Sequence, residues 1–180
     1  MSRIPAIDPT TTTGHVKELL DGVHKGLGVT PNLFRVAAQS PATLEALVSL
    51  FGAVAKTRFN ARAREAIALA VSEIDACDYC LSAHSALGKG AGLSDDAIEK
   101  ARSATSDEPR LAAALRLARV VTERRGRIGE AELTEARRAG LSDAELVDVV
   151  ANVALTTFTN YLNEVAGTKI DFPVVNHRPR

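Results

Sequence analysis

Helix punctuation recurs along almost the whole chain, and no other feature limits the fold as strongly. Apolar residues return with a period near 3.6 in segments bounded by capping residues, first-turn prolines and glycines. No convincing run of strict apolar/polar alternation lies between turn residues. The expected fold class is therefore all-α. A first helix is expected over about Thr13–Leu27, stopping at Gly28. Thr30-Pro31 and Ser40-Pro41 each set a hydroxyl before a proline, the signature of an N-cap with a first-turn proline, so two further helix starts are expected there. The helix after Ser40 carries Leu44, Leu47, Val48, Phe51 and Val54 as one apolar stripe. Asn60 caps a helix over about Ala61–Ile74, with Ile67, Ala70, Val71 and Ile74 on its main stripe and Glu65, Leu69 and Ser72 on another side. Asp75-Ala76 interrupts the pattern, and Cys77 begins a helix that continues through Cys80, Leu81, His84 and Leu87. Gly92-Leu-Ser-Asp and Gly140-Leu-Ser-Asp each read as a glycine stop running into an N-cap, and Glu145 completes a capping box with Ser142. Helices are expected from about Pro109 to Arg125 and from about Asp143 to Ala166, the second ending at Gly167. The tail Ile170-Asp-Phe-Pro-Val-Val is apolar enough to pack against a surface or a neighbouring subunit.

A chain of 180 residues can bury a core and needs no second domain, so one domain over residues 1–180 is expected. Its 46% hydrophobic and 24% charged residues are those of a globular protein rather than a disordered one. The 22 Lys+Arg balance the 22 Asp+Glu, which leaves no net field to recruit nucleic acid or anionic lipid. The basic end, His177-Arg178-Pro179-Arg180, is too short to change this and reads as a solvated tail. The uncharged run from Val149 to Asn163 is below membrane-spanning length and is broken by Asn152, Thr156, Thr157, Thr159 and Asn160; it reads as a buried helix. The first residues carry no apolar stretch of signal-peptide length, so a cytoplasmic protein is expected.

The chemistry concentrates between about residues 61 and 102. The only two cysteines, Cys77 and Cys80, are three apart, and in a reducing compartment such a pair is more often catalytic or metal-binding than a staple. A helix N-terminus, with its free N–H groups and partial positive charge, favours thiolate over thiol. His84 lies four residues past Cys80 and so on the same helical face, where thiol and imidazole would meet. Nucleophile, base and second sulfur are the minimum set for thiol peroxide chemistry. Which sulfur reacts first is open at this level. Position favours Cys77, nearer the helix end and expected to be more exposed, whereas His84 addresses Cys80. Glu65 is placed to orient or charge-balance His84. A structural zinc site would want four ligands, and His15, His24 and His177 are scattered. A c-type haem would need histidine where Leu81 stands, and a thioredoxin-type site would need a βαβ pattern. Two inert core cysteines remain the simplest alternative, and Tyr79 reads as a packing residue.

The stretch from Glu65 to His84 has the pattern Glu, eleven residues, Cys-x-x-Cys, three residues, His. It resembles the core of the AhpD-like alkylhydroperoxidases, within the carboxymuconolactone decarboxylase superfamily. Pro31-Asn-Leu-Phe-Arg, Phe158-Thr-Asn-Tyr-Leu-Asn and Ile170-Asp-Phe-Pro resemble the peroxidase-related members. The resemblance implies a helical bundle with the Cys-x-x-Cys at a helix N-terminus, assembling into trimers or hexamers. It implies that Cys80 attacks a hydroperoxide, that Cys77 resolves the sulfenic acid, and that Glu65 and His84 form a proton relay. An external dithiol or protein reductant would close the cycle, with no bound cofactor. Tyr79 departs from the pattern where some members carry a second histidine, which shortens the relay. The same dithiol would also suit a disulfide reductase or redox sensor. Lactone decarboxylases of the superfamily generally lack the cysteine pair, and a zinc-held interaction module is the reading from outside enzymology.

Overall fold

The structure is a computed structural model that describes residues 2–179. Among these residues the regular elements are all helices: α1 Gly14–Leu27, α2 Asn32–Ala37, α3 Pro41–Val54, α4 Ala61–Ile74, α5 Asp78–Gly90, α6 Asp95–Arg102, α7 Pro109–Glu123, α8 Glu130–Arg138 and α9 Asp143–Ala166. Several begin where their caps are written. Ser40, Asn60 and Ser94 accept from the N–H groups of Thr43, Ala63 and Ala97. Ser142 accepts from Glu145, whose carboxylate returns to the Ser142 N–H at 3.0 Å, a complete capping box. Gly28 and Gly167 end α1 and α9 in the left-handed region, with φ of 74° and 56°, where glycine carries no Cβ penalty.

One expected cap is different. α2 starts after Pro31, not after Thr30, and no side chain at its own N-cap serves it. Its first donors are met from far along the chain instead: Asp171 accepts from the Asn32 N–H at 2.8 Å, and the Tyr79 hydroxyl accepts from the Leu33 N–H at 3.0 Å. The Thr30 hydroxyl turns to His24 at 3.4 Å.

α4 is the central helix and packs against α5, α6, α7 and α9. Two apolar clusters make up the core, and α4 lies in the first. One unites α4, α6, α7 and α9 through Ile67, Val71, Leu115 and Val149. The other unites α1, α2, α3 and α5 through Leu20, Phe34, Leu44 and Leu47, and it contains Cys77 and Cys80. α5 spans the two, with Leu81 in the first cluster and Cys80 in the second. The dithiol is thus held at the seam between the clusters. The C-terminal segment packs on its own chain, Ile170 and Phe172 against the second cluster and Val175 against the first. Nor is the basic end a solvated tail over its described part: the His177 ring meets Asp78 at 2.7 Å and Arg178 pairs with Glu99 at 2.6 Å. Arg180 lies outside the described residues.

Between α4 and α5 the chain turns sharply through Ala76, a non-glycine residue at φ 55°, a conformation that costs an L-residue on the order of 1 kcal/mol. Asn160 braces this turn. Fully buried on α9, it accepts from Ser72 at 3.2 Å and donates to Asp75 at 2.7 Å. Breaking buried hydrogen bonds costs about 1–3 kcal/mol, so Asn160→Leu is expected to lower the melting temperature by roughly 3–10 °C. A calorimetric melt that matches the parent would remove Asn160 from this role.

Candidate active site

Cys77 is the N-cap of α5, and its Sγ accepts from the Cys80 N–H at 3.4 Å. Both thiols are free, and neither is exposed: Cys77 is 0% accessible and Cys80 2%. This corrects the expectation that Cys77 is the more open sulfur. The turn at Ala76 folds it under the second apolar cluster, so the N-cap position brings no exposure. Cys80 instead lines a cleft of about 480 Å³ and is the sulfur that a small molecule can approach.

The sulfur of Cys80 receives the amide Nδ2 of Asn163 at 3.3 Å and lies 4.0 Å from the Thr159 hydroxyl, both on α9. His84 bonds to Glu65 through Nδ1 at 2.7 Å, which joins α5 to α4 and leaves Nε2 as the free ring nitrogen. Glu65 and His84 are therefore paired as their spacing suggested. The direct thiol–imidazole bond expected of Cys80 and His84 is replaced by the Asn163 bond, and His84 acts on the sulfur through its charge.

The electrostatics separate the two sulfurs. Burial pushes the Cys80 thiol up. Hydrogen bonding from Cys77, the charge of His84, and the Asn163 and Thr159 contacts outweigh it and hold Cys80 below the ordinary thiol range. Cys77 goes far the other way, because its proton is held on the Cys80 sulfur, because it is buried, and because a Cys80 thiolate repels a second negative charge. Burial alone would depress His84, but the Glu65 carboxylate raises it above the usual imidazole range. The shifts run in opposite directions for the two sulfurs, so Cys80 is the one that loses its proton more readily, and it does so beside an imidazole that Glu65 favours in its charged form.

Tyr79 is not a relay member. Its hydroxyl donates to Asp171 at 2.8 Å while capping α2, its ring meets Phe172 edge-on, and burial holds the phenol well above its usual range. Asn163 and Thr159 are contributions that motif spacing did not identify. The signal lay in the uncharged run of α9: Asn152, Thr156, Thr159, Asn160 and Asn163 recur at helical spacing, and all are buried. Phe34, Phe51 and Phe172 wall the cleft, and a pocket of about 140 Å³ reaches Glu65 and His84 from the α9 side. Among the described residues no three His, Cys, Asp or Glu side chains gather as a metal site.

Residues 41–123 match the model of the carboxymuconolactone decarboxylase family. Among solved structures, one described as an alkylhydroperoxidase AhpD core, a peroxidase-related protein from Ralstonia eutropha JMP134, is similar with TM-score 0.83 at 23% identity, covering 94% of this chain and 92% of that one. A peroxidase-related protein from Silicibacter sp. TM1040 is similar with TM-score 0.80 at 23% identity, covering 92% and 88%. The debrominase Bmp8, in complex with 2,3,4-tribromopyrrole, is similar with TM-score 0.80 at 20% identity, covering 93% and 91%. At such identities the likeness establishes the fold. No curated protein matches the sequence significantly.

Proposed function

We propose that the protein is a thiol-dependent peroxidase working through a Cys77/Cys80 dithiol–disulfide cycle, a reading supported by the match of residues 41–123 to the carboxymuconolactone decarboxylase family model and by the AhpD-like fold. The observation that carries the reading is the asymmetry of the pair: Cys80 lines an open cleft with Asn163 and Thr159 at its sulfur and its thiol held below the ordinary range, whereas Cys77, one turn away, is fully buried off the cleft with its thiol pushed up.

In the first step the Cys80 thiolate attacks the terminal peroxide oxygen. The S–O bond forms as the O–O bond breaks, and the departing alkoxide takes a proton from His84, leaving an alcohol, a Cys80 sulfenic acid and a neutral imidazole. Glu65 keeps the imidazole oriented and its resting charge compensated. In the second step the Cys77 sulfur attacks that of Cys80; the disulfide forms, and the hydroxyl leaves with the Cys77 proton as water. An external dithiol then reduces the disulfide, and the proton of the regenerated Cys80 thiol returns to His84. Peroxide-consumption assays supplied in turn with different dithiols test the cycle. No consumption with any donor would refute it.

A second reading keeps the sulfurs and changes the substrate. The likeness to a debrominase, together with a cleft walled by aromatic rings, favours reductive removal of halogen from an apolar ring. Release of bromide from a brominated pyrrole, without peroxide consumption, would select it.

Cytoplasmic residence and self-assembly belong to the proposal. Among the described residues no helix is long and apolar enough to cross a membrane. Val147, Val150, Tyr161 and Val165 lie on one face of α9 and are 69%, 49%, 58% and 65% exposed, a stripe that a second copy of the chain would cover. Light scattering is expected to return a trimer or hexamer. A 19.1 kDa particle at every working concentration would contradict it.

A further inference from the structure

Three glycines along the cleft have no local explanation. Gly22 stands inside α1, Gly26 one turn on in its last turn, and Gly52 in the last turn of α3. A helix interior disfavours glycine relative to alanine. None of the three has positive φ, so no turn requires them. Nor does close packing: a Cβ built at any of them meets nothing within 4 Å. Gly88 on α5 shows the contrast, since a Cβ there would come within 2.9 Å of Leu93. Yet Gly22, Gly26 and Gly52 all border the cleft that ends at Cys80.

The cleft is larger than peroxide itself requires. Its volume of about 480 Å³ compares with roughly 30 Å³ for a water molecule, and it falls in the range of sites that enclose drug-sized ligands. Its mouth carries Leu27, Val29 and Leu87, which are 45%, 53% and 37% exposed. Among the described residues that line it there is no lysine or arginine to hold an anionic group, and its one carboxylate, Glu65, is paired with His84. The polar side chains that line it together with Cys80 are Glu65, Tyr79, His84 and Thr159.

From this we infer that Gly22, Gly26 and Gly52 determine specificity: their missing side chains keep the outer half of the cleft open for the bulky, uncharged, apolar body of a substrate whose reactive end reaches Cys80. The inference deepens the peroxidase reading and rests on it for the identity of the reactive end. The size and neutrality of the body follow from the cleft alone. The substrate of stated chemistry is then an uncharged hydroperoxide of aryl or branched alkyl type rather than hydrogen peroxide or a carboxylate-bearing peroxide held by its charge.

Two measurements on the full chain test this. In the first, the neutral fluorophore N-phenylnaphthylamine is titrated into the parent, Gly26→Leu and Gly52→Leu, with the anionic anilinonaphthalene sulfonate in parallel and cumyl alcohol as competitor. The parent is expected to prefer the neutral dye and to release it to the alcohol, and each leucine variant to bind it at least about tenfold more weakly, because the added side chain occupies the dye's space. In the second, the ratio of cumene hydroperoxide to hydrogen peroxide kcat/KM is expected to fall by a similar factor in the same variants. Gly22→Ala, Gly26→Ala and Gly52→Ala keep the test open if leucine disturbs folding: they should raise the melting temperature while lowering dye affinity by a smaller factor. Unchanged dye affinity and unchanged substrate ratio in folded leucine variants would overturn the inference. So would a change of oligomeric state with dye affinity intact, since the cleft would then be a subunit seat. If the parent consumes no peroxide at all, the peroxidase reading falls and the dye titration still decides what the glycines do.

Discussion

Cys80→Ser is expected to abolish peroxide consumption, by on the order of a thousandfold or more, whereas Cys77→Ser should still consume about one equivalent and then stop. The two variants differ because the environments of the two sulfurs differ. Cys80 lines the cleft, and Cys77, His84, Asn163 and Thr159 outweigh its burial and hold its thiol below the ordinary range. Cys77 is closed off beneath the apolar cluster that contains α1, α2 and α3, and keeps its proton. With Cys77 absent, nothing in the chain condenses with the sulfenic acid, so a dimedone-type trap should label residue 80 nearly completely. Labelling of Cys77 in the Cys80→Ser protein, with peroxide consumption intact, would reverse the roles of the sulfurs.

Loss of the Glu65–His84 pair should slow the first oxidation by roughly 100-fold or less, in both His84→Ala and Glu65→Gln. The pH profile carries the more specific signature. Cys80 reacts as thiolate, so its rate falls as pH drops through its lowered pKa. His84→Ala removes a positive charge that favours that thiolate, and the acid limb must then move to higher pH. Glu65→Gln acts in the same direction at one remove, because without the carboxylate His84 loses what raises it and is neutral over more of the pH range. A smaller maximal rate with an unmoved acid limb would make the pair a structural contact only. Stopped-flow oxidation at stoichiometric peroxide, followed from acid to alkaline pH, separates these outcomes.

What could be read in the sequence was what is encoded locally. Asn60, Ser142 and Gly167 satisfy the orphan groups of their own helix ends, so α4 and α9 were legible to the residue. The Glu65, Cys77, Cys80 and His84 spacing was legible for a similar reason, since three of the four share α5 or its cap and the fourth stands on the helix before it. What escaped depends on chain that returns from far away. Thr30 looked like a cap, but Asp171 and Tyr79 hold the start of α2. Asn163 meets a sulfur 83 positions earlier, and the polar stripe of α9 that contains it marks a buried face without saying which residue it meets. Cys77 looked exposed because helix ends usually are; here the turn through Ala76, braced by Asn160, carries it inward. The cleft was least legible, because it is space left between α1, α3 and α5.

The most direct test of the cycle is intact-mass analysis with thiol alkylation, before and after one equivalent of hydroperoxide, followed by a dithiol. The dithiol–disulfide account predicts loss of both alkylatable thiols together, one peroxide consumed per chain, and return of both thiols on reduction. Two thiols still alkylated after the peroxide has been added, with the peroxide unconsumed, would contradict it.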